Sequence, residues 1–230
     1  MHRLTQICNH TFIASLLDSN STIVDLGANV GEFSMEINST FFCYVFSVEP
    51  VPELFAQIMD GQKIKKFNFC VSDKPGPIEL LIPTNRCASI YQNNDDVESR
   101  VILSRGVTLD SLLEEQNIQS VELLKVDIEG AELGLFASIK PDNLQRIKQV
   151  TVEFHDFLWS ETHNKVESIK MKLISNGYYC IQFSLNNGDV LFVRKDLITF
   201  FDFLYLGYWL KYTNGIKRVV KRLLQNHRVT

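Results

Sequence analysis

Asp25, Glu49 and Asp127 each stand at or beside the end of an apolar or β-branched run: Asp25 within Thr22–Leu26, Glu49 after Tyr44–Val48, and Asp127 after 121–126. In open α/β sheets, ligands lie over the carboxyl ends of the strands, so acids at these positions face a ligand. Asp25 leads into Gly27-Ala28-Asn29-Val30-Gly31. Its glycines are four apart, not in the Gly-x-Gly-x-x-Gly order of a dinucleotide phosphate loop. Asn29 stands where such a loop needs its second glycine, so no pyrophosphate is expected. An acid two residues before the first glycine suits the cationic end of a ligand instead. Glu49 follows the turn at about the 20-residue spacing that presents an acid to a ribose diol. Asp127 opens a cluster of three acids with Glu129 and Glu132.

These blocks also carry a family signal. The turn Asp25-x-Gly27-x-Asn29-x-Gly31, the segment Ser47-Val48-Glu49-Pro50 and the segment from Lys125 through Val126-Asp127-Ile128-Glu129-Gly130-Ala131 to Glu132 resemble the FkbM-type S-adenosylmethionine-dependent methyltransferases. The resemblance spans residues 22–193. It implies a Rossmann-like class I methyltransferase fold of α/β type: a mainly parallel seven-stranded sheet with an antiparallel terminal hairpin. It implies S-adenosyl-L-methionine as cofactor and O-methyl transfer to a hydroxyl of a glycan or small-molecule (natural-product) acceptor.

On that basis Asp25 meets the amino group of the cofactor. Gly27, Ala28, Asn29 and Gly31 line its approach, with Gly27 leaving room for it. The helix after Gly31 turns free N–H groups toward the cofactor's carboxylate. Glu49 takes the ribose, Ser72 and Asp73 stand near adenine, and Asp127 sits near the sulfonium. Methyl transfer to a hydroxyl is helped by a base. The candidates are Asp127, Glu129, Glu153, His155 and Asp156, with His155 favoured for its ordinary pKa. The same groups offer donors to a divalent ion, but the reading taken is that no metal is bound. Two rival readings stay open: an NAD-type Rossmann oxidoreductase, and a non-catalytic module that binds the cofactor without turnover.

The elements that must position these residues alternate between strand and helix from residue 22 onward, as in a parallel α/β sheet. Helices are expected at 10–17, 32–39, 52–59 and 165–175, and strands at 67–71, 121–126 and 149–154. Asn186-Asn187-Gly188-Asp189 separates strands at 178–183 and 190–193 as a hairpin. An insertion at 74–105 holds a short strand at 78–82. Its small polar segment Arg86-Cys87-Ala88-Ser89 and the run 93–98 are read as acceptor-facing. The division expected is a lead helix in 1–21, the catalytic domain in 22–195 and a helical tail in 196–230.

Composition narrows the class. A net charge of −4 with mixed signs leaves no basic field for nucleic acid. Five cysteines without a Cys-x-x-Cys pair read as reduced thiols of a cytoplasmic protein. Residues 198–210 are apolar and aromatic, and six basic residues follow by Arg228. That pattern fits either packing on the domain or a weak, peripheral contact with an anionic membrane surface.

Overall fold

The structure is a computed structural model that describes residues 2–83, 99–155, 163–184 and 186–210. The chain opens on a hairpin of β1 (Leu4–Ile7) and β2 (His10–Ile13). Then come β3 (Thr22–Leu26), α1 (Glu32–Phe41), β4 (Tyr44–Val48), α2 (Pro52–Phe55), β5 (Ile64–Phe67), β6 (Cys70–Val71), β7 (Gly76–Pro83) and β8 (Ser99–Val107). The rest is α3 (Leu109–Glu115), β9 (Leu123–Val126), α4 (Glu132–Ser138), α5 (Pro141–Leu144), β10 (Gln149–Val152), α6 (His163–Ser175), β11 (Tyr178–Gln182), β12 (Val190–Arg194) and α7 (Phe200–Leu204).

Seven strands form the central sheet in the order β11-β12-β10-β9-β3-β4-β5. Every neighbouring pair is parallel except the two that involve β12. This is the class I methyltransferase architecture with its reversed strand. Strands β3, β9 and β10 are buried on both faces, which is why they read as near-continuous apolar runs. Period-2 alternation still sorts them. Val24, Leu26, Leu124 and Val126 enter one core cluster. Ile23 and Leu123 enter the other, with Phe12, Phe33, Ile37 and Leu191.

Three expectations need correction. Residues 10–17 are not a lead helix but β2 and a single 3-10 turn at Ala14–Leu16. A two-residue turn, with Cys8 at φ 45° and Asn9 at φ 66°, folds β2 back on β1. All four residues of β2 are buried, so no alternation marks them as a strand. The run 67–71 splits: Phe67 ends β5 in the main sheet, while Cys70 and Val71 join β8 in a separate three-stranded sheet. The short strand at 78–82 is the longer β7, and it pairs along its whole length with β8, which went unread. The two acceptor-facing segments, 86–89 and 93–98, lie outside the described residues, as does Asp156.

The boundary at 195 does not separate folding units. Ile198 and Leu206 are buried in the second core cluster. Asp202, the lone acid in that aromatic run, closes a capping box with Thr199 at the start of α7. A π-helical turn, Tyr205–Leu210, follows, and the basic residues from Lys211 onward are outside the described residues. Among the described residues no helix is long and apolar enough to cross a membrane.

Candidate active site at the strand ends

A row of buried polar side chains runs across one face of the sheet. Ser47, Asp25, Lys125 and Thr151 are register partners on β4, β3, β9 and β10. All four are buried. Lys125 Nζ donates to the carbonyl oxygen of Gly27 at 2.6 Å and lies 3.1 Å from Asp25 Oδ1, an ion-pair contact short of hydrogen-bond geometry. Ser34 Oγ donates to Asp25 Oδ2 at 2.6 Å. Burial alone would lower the Lys125 pKa, but Asp25 and Asp127 outweigh it and raise it. Asp25, with no exposure, therefore holds Lys125 under the glycine turn, and the expectation that it meets a ligand's amino group is corrected.

Above this row lies a cleft of about 620 Å³, part of it open to solvent. Gly27, Asn29, Glu49, Asp127 and Glu129 lie on its wall, beside the apolar side chains of Leu54, Val71 and Leu80. Glu49 is only 4% exposed. Its Oε2 accepts from the backbone N–H of Asn29 at 2.8 Å and its Oε1 from that of Val51 at 2.9 Å. Burial raises its pKa against those two bonds. A carboxylate has about four acceptor sites, so capacity remains for a ligand.

Other expected contacts are elsewhere. Ala28 is buried and its N–H goes, like that of Gly27, to the carbonyl of Val48. Gly31 caps α1 at φ +87° with Ile58 beside it. Ser72 donates to the carbonyl of Lys74, and exposed Asp73 sits against Gly134. None of these four is on the cleft wall, where Cys70 and Val71 stand instead. Gly27 is on the wall, but its glycine is required by the protein itself. A Cβ there would stand 1.7 Å from the carbonyl oxygen of Asp127, at φ +76°.

At the ends of β9 and β10 the acids and histidines converge. Glu132 Oε1 accepts from the N–H groups of Ile128 and Gly130 and lies 3.0 Å from His155 Nδ1. His155 Nε2 is 3.3 Å from Glu129 Oε2 and 3.8 Å from Asp127 Oδ1. His10, from the N-terminal hairpin, brings Nε2 to 3.6 Å from Asp127 Oδ2. Burial alone would raise the Asp127 pKa, but His10, Lys125 and His155 pull it down to about 2. Burial alone would lower that of His155. Its bond to Glu132 and the charges of Glu132, Glu129 and Asp127 win, and it rises to about 9. His155 is thus an imidazolium at neutral pH, and its assignment as the base is corrected. His10, Lys125, Glu132 and Thr151 were the residues missed. The signal for Lys125 and Thr151 was a polar residue inside an apolar strand.

The His155 charge has a measurable consequence. Its folded pKa lies above the ordinary 6.5, so its contribution is whole below 6.5 and disappears as pH rises through about 9. In EDTA buffer, the urea midpoint of the wild type is expected to fall between those two values. His155→Gln is expected to flatten that fall. Parallel profiles for the two proteins would show that His155 is not held as a cation.

The model of the methyltransferase FkbM domain matches residues 25–180. The chain belongs to the FkbM methyltransferase family. This FkbM protein is 22% identical over 183 residues to "Methyltransferase sdnD" of Sordaria araneosa, covering 63% of this chain and 70% of that one. It is 26% identical over 165 residues to "Methyltransferase 1" of Beauveria bassiana (strain ARSEF 2860), covering 60% of this chain and 66% of the relative. The chain thus spans about two thirds of the length of the curated relatives it matches. Among solved structures, a putative caffeoyl-CoA O-methyltransferase from Staphylococcus aureus aligns over 76% of each chain with a TM-score of 0.45 and 11% identity, too remote to bear on function. Family membership makes the protein a methyltransferase and sets aside the oxidoreductase reading.

Proposed function

We propose that this FkbM family member is an S-adenosyl-L-methionine-dependent O-methyltransferase acting on a hydroxyl of a glycan or small-molecule acceptor. The observation that supports it is a single cleft whose wall carries Glu49 together with Asp127 and Glu129. The donor set suits the cofactor. Glu49 would accept from the ribose diol, Leu54, Val71 and Leu80 would cover the base, and Asp127 and Glu129 would face the cationic amino-acid end. When bound, S-adenosyl-L-methionine supplies an electrophilic methyl group.

The chain's own groups do the rest. Asp127 stays ionised at neutral pH, and His155 beside it keeps its proton. A proton leaving an acceptor hydroxyl therefore goes to a carboxylate. Glu153, whose pKa is raised by burial and by the Asp127 charge, is the more basic choice. Carboxylates clustered at the strand ends also accept hydrogen bonds from an acceptor's hydroxyls and so orient it. The net charge of −4 argues against a nucleic-acid acceptor.

Calorimetry with S-adenosyl-L-methionine tests the cofactor site. Wild type is expected to saturate, and Glu49→Ala to bind about 1–3 kcal/mol more weakly through lost charge-assisted hydrogen bonds. Equal affinity in the two proteins, or none in the wild type, would sink the assignment. Transfer of labelled methyl to hydroxyl-bearing but not amine-bearing acceptors tests the rest of the reading. Saturable binding with no transfer to any acceptor would leave a binding module.

A further inference from the structure

The geometry points to a divalent-cation site formed by His10 Nε2 and the carboxylates of Asp127 and Glu153, beside the cleft. This deepens the methyl-transfer reading and rests on it only for the catalytic use of the ion. It also reverses the metal-free expectation drawn from the sequence.

The three donor atoms, from β2, the end of β9 and the end of β10, lie within 4.8 Å of one another. Bonds to nitrogen and oxygen of about 2.0–2.2 Å would draw them together by small side-chain rotations. Two observations beyond the acids themselves favour a cation. First, the His10 imidazole is 1% exposed, yet its Nε2 stops 3.6 Å from Asp127 Oδ2, beyond hydrogen-bond range. A buried ring nitrogen is thus aimed at the Asp127 carboxylate across a long ion-pair contact rather than a short hydrogen bond. Second, His10 Nδ1 lies 3.5 Å from Thr151 Oγ1, in the buried polar row. An outer partner on one ring nitrogen fixes the other toward the metal, as around ligating histidines generally.

The local charge agrees. Asp127, Glu129, Glu132 and Glu153 converge here, and Lys125 Nζ, 3.9 Å from Asp127 Oδ2, is already taken by Gly27 and Asp25. One imidazole and two carboxylates suit Mn²⁺, Fe²⁺ or Zn²⁺ better than Ca²⁺, and three protein ligands leave positions open. A hydroxyl that takes an open position becomes more acidic, and its proton can leave to solvent or to Glu129, since an ion held by Glu153 takes that carboxylate out of the role of base.

The test uses the full chain, stripped with chelator and then titrated calorimetrically with Mn²⁺ and, separately, Zn²⁺. About one cation per chain is expected. His10→Ala and Glu153→Gln should abolish uptake or weaken it at least tenfold. Thr151→Val, a near-isosteric change, should weaken it about 10–100-fold if the hydroxyl orients the ring. S-adenosyl-L-methionine titrated into the same variants should bind as in wild type, which also shows that they are folded. Cation uptake unchanged in both His10→Ala and Glu153→Gln, or absent from the wild type, would overturn the site and leave an ion-paired cluster. Cation binding without cofactor binding would leave the site standing and sink the methyl-transfer reading, and the converse would do the reverse.

Discussion

Gly27→Ala is expected to cost more than about 4 kcal/mol, a large share of the roughly 5–15 kcal/mol that keeps a native protein folded. Two effects add. An alanine at φ +76° pays the left-handed penalty of about 1–2 kcal/mol. Its Cβ would also stand 1.7 Å from the carbonyl oxygen and 2.8 Å from the carbonyl carbon of Asp127. Both are backbone atoms, so no rotamer change relieves the clash; the end of β9 must move away from the end of β3. That movement breaks the Asp127 N–H bond to Leu26 and displaces Asp127 from the cleft. Urea denaturation monitored by far-ultraviolet circular dichroism checks the stability. A loss below about 1 kcal/mol, the range of an ordinary substitution, would mean that the two strand ends are not in this contact.

Lys125→Met is expected to destabilise by about 3–5 kcal/mol, because it leaves Asp25 charged and buried without its cation. Met fills nearly the same volume, so the loss reports charge and hydrogen bonding rather than a cavity. The carbonyl oxygen of Gly27 also loses its 2.6 Å donor. The double variant Asp25→Asn with Lys125→Met should recover much of the loss, since neither buried charge then remains. The coupling between the two positions should exceed about 1 kcal/mol in a double-mutant cycle. Additive losses would mean that Asp25 and Lys125 do not act as a pair.

What could be read in advance followed local rules. β3, β4, β9 and β10 are apolar runs ending in polar groups, and the β11–β12 hairpin carries turn residues between its strands, so the reversed strand was visible. Glu49 and Asp127 were legible as the first acids after buried strands. The site's other half was not, because its members act through partners distant in sequence. Lys125 sits mid-strand, and its register with Asp25, 100 residues earlier in the chain, is invisible locally. Glu132 looks like an ordinary first-turn acid of α4, yet it gathers two backbone N–H groups and a histidine. His155 looked like a base because its ordinary pKa suits one. Three surrounding carboxylates set its charge, and only the folded chain brings them together. β2 was misread because it is covered on both sides and turns through Cys8-Asn9 without a glycine.

The N-terminal hairpin also sets a schedule. Thr11 is fastened by Asp189, which accepts its N–H at 3.1 Å and its hydroxyl at 2.6 Å across 178 residues of sequence. Ile13 leans in the same way on Gln149. On a growing chain β2 can pack early on α1, through Phe12 against Phe33 and Phe41, but its bonds to Gln149 and Asp189 must wait for the far end of the sheet. At about 5–20 residues per second, the interval is roughly 9–36 s. The fastening of Thr11 is complete only then. A ribosome-bound chain has its glycine turn and Glu49 early, but the bonds that fasten the hairpin carrying His10 are complete only with Asp189.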